Sequence, residues 1–246
     1  MTIEQELIQK FTEIRDRGWI ETYRHGDQCL GNTFEDLIGK KEDNKQMADF
    51  HDIELKSHRT VTKSMITLFS KKPSYPRGAS NYLRQNYGVF DTEYNEKILN
   101  TTLGGLKENT HRGGYSFKAV VDREAQRVYL QIRNMETGEL VNDEIYWSFS
   151  VLNAALEKKL KKIAILYGEE DVVNGQRRVR YTSMKLIEGL TFEKLLSSIE
   201  NGKLFIDIRI GVYASGKNEG KTHDHGTAFR IHLNDLLSAY GTVREF

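Results

Sequence analysis

Residues Asp49–Lys56 read Asp-Phe-His-Asp-Ile-Glu-Leu-Lys, and the last four alternate apolar and polar. Alternation with this period marks a strand that buries one face, and residues two apart on a strand share a face. Ile53 and Leu55 therefore point into a core, while Glu54 and Lys56 project together on the opposite side. With Asp49 upstream, the pattern is D-x4-E-x-K. Mg2+ takes oxygen ligands and keeps waters and substrate phosphate oxygens in its shell. Asp49 and Glu54 could hold such a cation, and Lys56 could position and polarise an attacking water, a layout suited to metal-assisted phosphodiester hydrolysis. The plain alternative is a solvated strand edge, since so short a string also arises by chance. Asp52 is a rival for the first ligand, because its spacing puts it on the Glu54 face.

The neighbouring segments add organisation to the string. Asn32–Gly39 reads as a helix start, with Asn32 or Thr33 as N-cap and Glu35 in the first turn. Ser64–Phe69 reads as the next strand. A basic and aromatic stretch follows, with Lys71, Lys72, Tyr75, Arg77, Tyr82, Arg84 and Tyr87. The chain's two prolines, Pro73 and Pro76, mark Lys71–Gly78 as a loop, expected to lie near a substrate backbone.

Together, Gly31–Gly39 and Asp49–Lys56 resemble the active-site core of the PD-(D/E)XK nuclease superfamily. Within it the pattern is similar to the MvaI/BcnI-like restriction endonucleases, relatives of the repair protein MutH, which also place a Glu on a helix ahead of the D…ELK strand. The likeness extends over the whole chain in length and order of features. One departure is Ala48, where the superfamily usually has proline. The resemblance implies an α/β fold, with a mixed central sheet flanked by helices and a C-terminal DNA-recognition lobe containing a β-hairpin. A catalytic lobe over residues 1–170 and a recognition lobe over 171–246 are expected. It further implies a monomeric type II enzyme that cuts double-stranded DNA at CCWGG, where W is A or T. Asp49, Glu54 and the Leu55 carbonyl would bind Mg2+, Lys56 would align the nucleophile, and Glu35 would hold a second metal or a metal-bound water. A MutH-like nicking enzyme and a non-catalytic DNA-binding module remain as alternatives.

Composition narrows the classes. The 246 residues can bury a substantial core. No run approaches the ~18 apolar residues of a membrane span, and the acidic, amphipathic N-terminus has no signal-peptide character. The single cysteine, Cys29, excludes an internal disulfide framework or a Cys-rich zinc site and fits a bacterial-type cytoplasm; it reads as structural. A net charge of +1 argues against a histone-like binder but not against a DNA enzyme with a basic cleft.

Along the chain, periodicity predicts helices over Thr2–Arg17, Trp147–Leu160, Phe192–Ile199 and Leu233–Tyr240, a hairpin of Phe117–Val121 with Val128–Ile132, and strands over Ile163–Tyr167 and Val179–Met184. The basic run Lys158, Lys159, Lys161 and Lys162 reads as a solvated helix end. Leu204–Val212 alternates strictly, so Ile206, Ile208 and Ile210 face a core and Asp207 and Arg209 face outward. After a Gly-rich loop, Thr222–His232 begins polar and ends as a strand. A strand–loop–strand bearing Asp207, Arg209, His223, His225 and Arg230 suits the major groove, which admits a two-stranded ribbon. There Arg pairs with guanine O6 and N7, and carboxylates accept from cytosine N4. The alternatives are an exposed hairpin with an incidental Asp207–Arg209 pair, or a His-x-His metal site short of ligands.

Overall fold

The computed structural model describes residues 1–26, 28–39, 48–60, 64–93 and 95–246. The chain forms two compact units, each built from separated stretches. Unit 1 takes Met1–Ile66, Leu156–Leu190 and Leu236–Phe246; unit 2 takes Thr67–Ala155 and Thr191–Asp235. Both units are therefore discontinuous in sequence.

Unit 1 holds α1 (Ile3–Arg15), β1 (Ile20–Glu21), α2 (Cys29–Leu37) and β2 (Ile53–Arg59). Unit 2 opens with β3 (Ile66–Ser70), α3 (Ala79–Tyr87), β4 (Val89–Asp91) and β5 (Glu96–Leu103), and continues through β6 (Tyr115–Asp122), β7 (Arg127–Asn134), β8 (Leu140–Asn142) and β9 (Tyr146–Ser148). Helix α4 (Phe149–Lys159) leads back to unit 1 and to β10 (Lys162–Val173) and β11 (Gln176–Glu188). Next come α5 (Phe192–Glu200), β12 (Leu204–Val212), β13 (Thr222–Asp224) and β14 (Ala228–Ile231) of unit 2, then α6 (Leu233–Ala239) and β15 (Thr242–Glu245).

The unit 1 sheet runs β1-β11-β10-β2, with β15 also on β11. Strands β10 and β11 are antiparallel, whereas β2 pairs parallel to β10, with Glu54 opposite Ile163 and Lys56 opposite Ile165. Parallel neighbours cannot be joined by a tight turn and need a long crossover. Here the crossover carries the whole Thr67–Ala155 part of unit 2, which is why the units interleave. One face of the sheet packs Ile53, Leu55, Ala164, Leu166 and Leu186 against Leu7, Phe11, Leu30 and Phe34 of α1 and α2. Fully burying a large apolar side chain contributes roughly 1.5–3 kcal/mol, so this layer fixes which way β2 faces. Ile163, Ile165 and Ile187 alternate with those residues and are buried on the opposite face.

Unit 2 contains a six-stranded sheet, β3-β14-β12-β5-β4 with β13 on β12, and a four-stranded sheet, β6-β7-β8 with β9 on β7. The predicted β6–β7 hairpin forms, in register from Tyr115–Asn134 to Asp122–Arg127. Trp147 falls in β9 rather than in a helix: its ring is fully buried and its Nε1 donates to the Lys71 carbonyl at 2.8 Å. Helix α5 stops where predicted, because Gly202 takes a left-handed φ of 65° that favours glycine. Helix α2 begins earlier than predicted, after Gln28, so Asn32 and Thr33 are helical. The Thr33 hydroxyl serves a tertiary contact instead, 2.8 Å from that of Thr22.

Candidate functional site

The turn before β2 explains the spacing of the acidic motif. Phe50 and Ile53 exchange backbone hydrogen bonds of 2.8 and 2.9 Å, and His51 takes a left-handed φ of 53°. This tight loop brings Asp49 alongside the strand, where its Oδ2 accepts the Leu55 N–H at 3.0 Å. Asp52 sits at the exposed tip instead, 3.6 Å from Lys162 Nζ. Of the two rival acids, Asp49 is the one held against β2.

Glu54 faces away from the α1–α2 layer and is only 2 % exposed. Its Oε1 accepts from Lys56 Nζ at 2.7 Å and from Lys159 Nζ at 3.4 Å. Its Oε2 is buried without a hydrogen-bond partner among the described residues. Leaving a buried acceptor unsatisfied costs about 1–3 kcal/mol, so this oxygen suits a cationic ligand. Tyr240 closes the neighbourhood: its hydroxyl donates to the Leu160 carbonyl at 3.1 Å, and burial, helped by the Glu54 charge, keeps it protonated well above the ordinary tyrosine range. Glu35 lies half-buried on α2, which packs against β2 and β10. Among the described residues no group of three His, Cys, Asp or Glu side chains is placed to hold a metal ion by itself. Two carboxylates and a carbonyl still suit Mg2+, which fills its shell with waters and phosphate oxygens.

The second candidate region lies in unit 2. Ile206, Ile208 and Ile210 are fully buried, as the alternation of β12 requires. Asp207, expected to face outward, is itself only 6 % exposed. Its Oδ2 accepts from Arg230 Nη1 at 2.9 Å and lies 3.5 Å from Arg209 Nε, while its Oδ1 accepts from the Thr102 hydroxyl at 2.9 Å. The two guanidiniums cover the carboxylate and keep their outer edges partly exposed. His223 stacks on Tyr213 with centroids 4.1 Å apart, and His225 lies 4.1 Å from His223. Burial, with the neighbouring charges of His223 and Arg209, lowers the His225 pKa, so its imidazole stays neutral to more acidic pH than an ordinary histidine. The unit thus brings Asp207, Arg209 and Arg230 into one ionic cluster and His223 and His225 into an adjacent aromatic stack.

The family model described as the MvaI/BcnI restriction endonuclease family matches residues 8–240. The chain belongs to this family. It is accordingly a site-specific deoxyribonuclease. A solved complex of the restriction endonuclease MvaI with its cognate DNA substrate is 43 % identical, covering 100 % of this chain and 99 % of that one, with a TM-score of 0.90. The structure of MvaI in the absence of DNA is also 43 % identical, covering 100 % and 98 %, with a TM-score of 0.66. No match is found among curated proteins.

As a member of the MvaI/BcnI family, the chain carries site features that its sequence did not display. Lys159, read as part of a solvated helix end, reaches Glu54 instead. Its neighbours are also engaged, Lys161 with Glu157 and Lys162 with Glu4. The only available signal was that a basic run precedes the strand pairing with β2. In the basic and aromatic stretch, Arg84 is buried and ion-paired with Glu96 at 2.9 Å, and Tyr87 is buried. Cys29 is buried in the unit 1 core, and its Sγ donates to the Arg24 carbonyl at 3.3 Å, in keeping with a structural role. Among the described residues no helix is long and apolar enough to cross a membrane.

Proposed function

We propose that the protein cuts both strands of double-stranded DNA at CCWGG in a Mg2+-dependent hydrolysis, acting as a monomer inside the cell. The observation that carries the chemistry is the buried Glu54, with one oxygen held by lysines and the other unpartnered. Asp49, Glu54 and the Leu55 carbonyl would hold the cation, with Glu35 supporting a second ion or an ordered water. Bound there, a divalent cation would supply Lewis-acid polarisation of the scissile phosphate and a more acidic water. Lys56, 2.7 Å from Glu54, orients the attacking water and offsets the charge that builds on the phosphate oxygens. Lys159 adds a second positive charge on the same carboxylate.

Site choice is assigned to unit 2, where Arg209 and Arg230 present their donor forks and His223 and His225 offer imidazole nitrogens for hydrogen bonding. The G·C pairs of CCWGG suit two arginines. The likeness to MvaI, solved with its cognate DNA and 43 % identical over the full chain, supports DNA as the substrate. A monomer with one active centre would cut the strands in separate events. Digestion of a plasmid of known sequence tests the reading. Discrete Mg2+-dependent fragments ending inside CCWGG sites are expected. Nicked circles alone, or ends at unrelated sequences, would refute it.

A further inference from the structure

The polar face of the unit 2 sheet does not stop at β12. Strands β12 and β5 pair antiparallel, with Arg209 opposite Asn100 and Asp207 opposite Thr102. Directly opposed residues project from the same face. Asn100 and Thr102 are exposed on β5, while Leu99, Thr101 and Leu103 are buried between them. Thr102 is engaged, donating to Asp207 at 2.9 Å. Among the described residues Asn100 makes no side-chain hydrogen bond, and it is the register partner of Arg209.

A groove of about 610 Å³ opens beside β5, between Asn100, Thr101 and Thr102 and residues 107–112 of the loop that follows. Its far wall, the 104–113 loop, is held rigidly. Asn109 Nδ2 donates to the Thr101 hydroxyl and the Thr102 carbonyl at 2.7 Å, and its Oδ1 accepts the Phe117 N–H at 2.8 Å. Gly105 seats against the end of α5, donating to the Ile199 carbonyl at 3.1 Å; a Cβ there would lie 2.4 Å from that oxygen, so only glycine fits. Glu108 is neutralised by Arg133 at 3.1 Å and bonded by Ser116. Lys107 and Arg112 are exposed and unpaired among the described residues, so they set the charge of the groove. A preformed groove with neutral polar groups on its floor and cations on its wall has the chemistry of a nucleic-acid contact, in which phosphates bind cations and base edges bind amides.

We propose that Asn100 is a further specificity residue, reading a base edge beside the one read by Arg209, with Lys107 and Arg112 holding adjacent phosphates. This rests on the reading of the unit 2 face as the DNA reader. A carboxamide offers a donor and an acceptor side by side and pairs bidentately with adenine N6 and N7. Cross-strand neighbours stand about 5 Å apart at Cβ, comparable with the ~3.4 Å step between base pairs. With Arg209 assigned to the inner guanine of CCWGG as part of the same proposal, the pair beside it within reach of Asn100 is the central A·T pair.

The test is equilibrium binding, without divalent cation, of the full-length protein to three duplexes: CCWGG, the same duplex with a central G·C pair, and a random sequence. Asn100→Ala removes an exposed group and leaves the core intact. It is expected to weaken CCWGG binding roughly tenfold or more, to leave random DNA unchanged, and to erase discrimination at the central pair. Arg112→Ala is expected to weaken all three alike and to lower the salt slope by about one. If Asn100→Ala matches the parent protein, or loses equally on every duplex, while Arg209→Ala loses selectively, the Asn100 assignment fails and the reader stands. If Arg209→Ala also shows no selective loss, the reader assignment and the Asn100 role fall together.

Discussion

Glu54 in unit 1 and Asp207 in unit 2 are both buried carboxylates, each on a strand and each facing two cationic side chains. They differ in what their second oxygen does. In Glu54, Lys56 and Lys159 crowd Oε1 and leave Oε2 unpartnered. In Asp207, Arg230 donates to Oδ2 with Arg209 ion-paired at 3.5 Å, and Thr102 donates to Oδ1. An open acceptor among lysines can take up a ligand during reaction. A saturated one among arginines holds two planar forks in place, which favours rigid recognition over chemistry. Burial and charge are nearly the same in both; hydrogen-bond saturation is what separates the site proposed to react from the one proposed to read.

The comparison can be broken most severely at Lys56. Lys56→Ala should lower the cleavage rate about 10²–10⁴-fold and leave DNA affinity almost unchanged, read by single-turnover cleavage alongside binding. Normal cutting by this variant would remove Lys56 from the mechanism. On the other side, Arg209→Ala and Arg230→Ala should each weaken specific binding by roughly 1–3 kcal/mol. Equal losses on specific and random DNA would reassign them as phosphate contacts. Asp207→Asn sharpens the contrast: it keeps hydrogen-bonding capacity but drops the charge that aligns the forks, so specific affinity should fall by about 1 kcal/mol with the cleavage rate on saturating DNA preserved.

The smallest effect concerns a carboxylate with no role in either site. Lys162 and Arg244 hydrogen-bond Glu4 and hold its pKa below the ordinary glutamate range. A lowered folded-state pKa means that the stabilisation is fully present above the unfolded value and is lost as pH falls through the folded one. Denaturant titrations should therefore show Glu4→Gln costing about 1 kcal/mol at neutral pH and nothing at strongly acidic pH. An equal cost at both would rule out the ion pairs as its source.

Much of the catalytic strand was legible in advance, because Ile53–Lys56 encodes its facing in a two-residue period and one such period fixes every side chain. The strand Leu204–Val212 was legible for the same reason, to the residue. What could not be read were contacts between segments far apart in the chain. Nothing local to Lys159 says that its helix ends beside β2, since that depends on the parallel pairing of β10 with β2. Asp207 was assigned outward by alternation, and its burial arises from Arg230 and Thr102 on neighbouring strands. The interleaving of the units was hidden too, because a crossover of such length leaves no local mark. Helix α3 was also missed; its start follows Gly78, whose left-handed φ of 81° gives no side-chain cap to recognise.

The unpartnered oxygen of Glu54 is tested most directly by Mn2+ uptake by the protein–DNA complex, followed by electron paramagnetic resonance in the parent protein and in Glu54→Gln. Parent complexes should take up the ion while Glu54→Gln complexes, formed with equal DNA affinity, should not. Equal uptake by both would contradict the assignment of Glu54 as the open ligand.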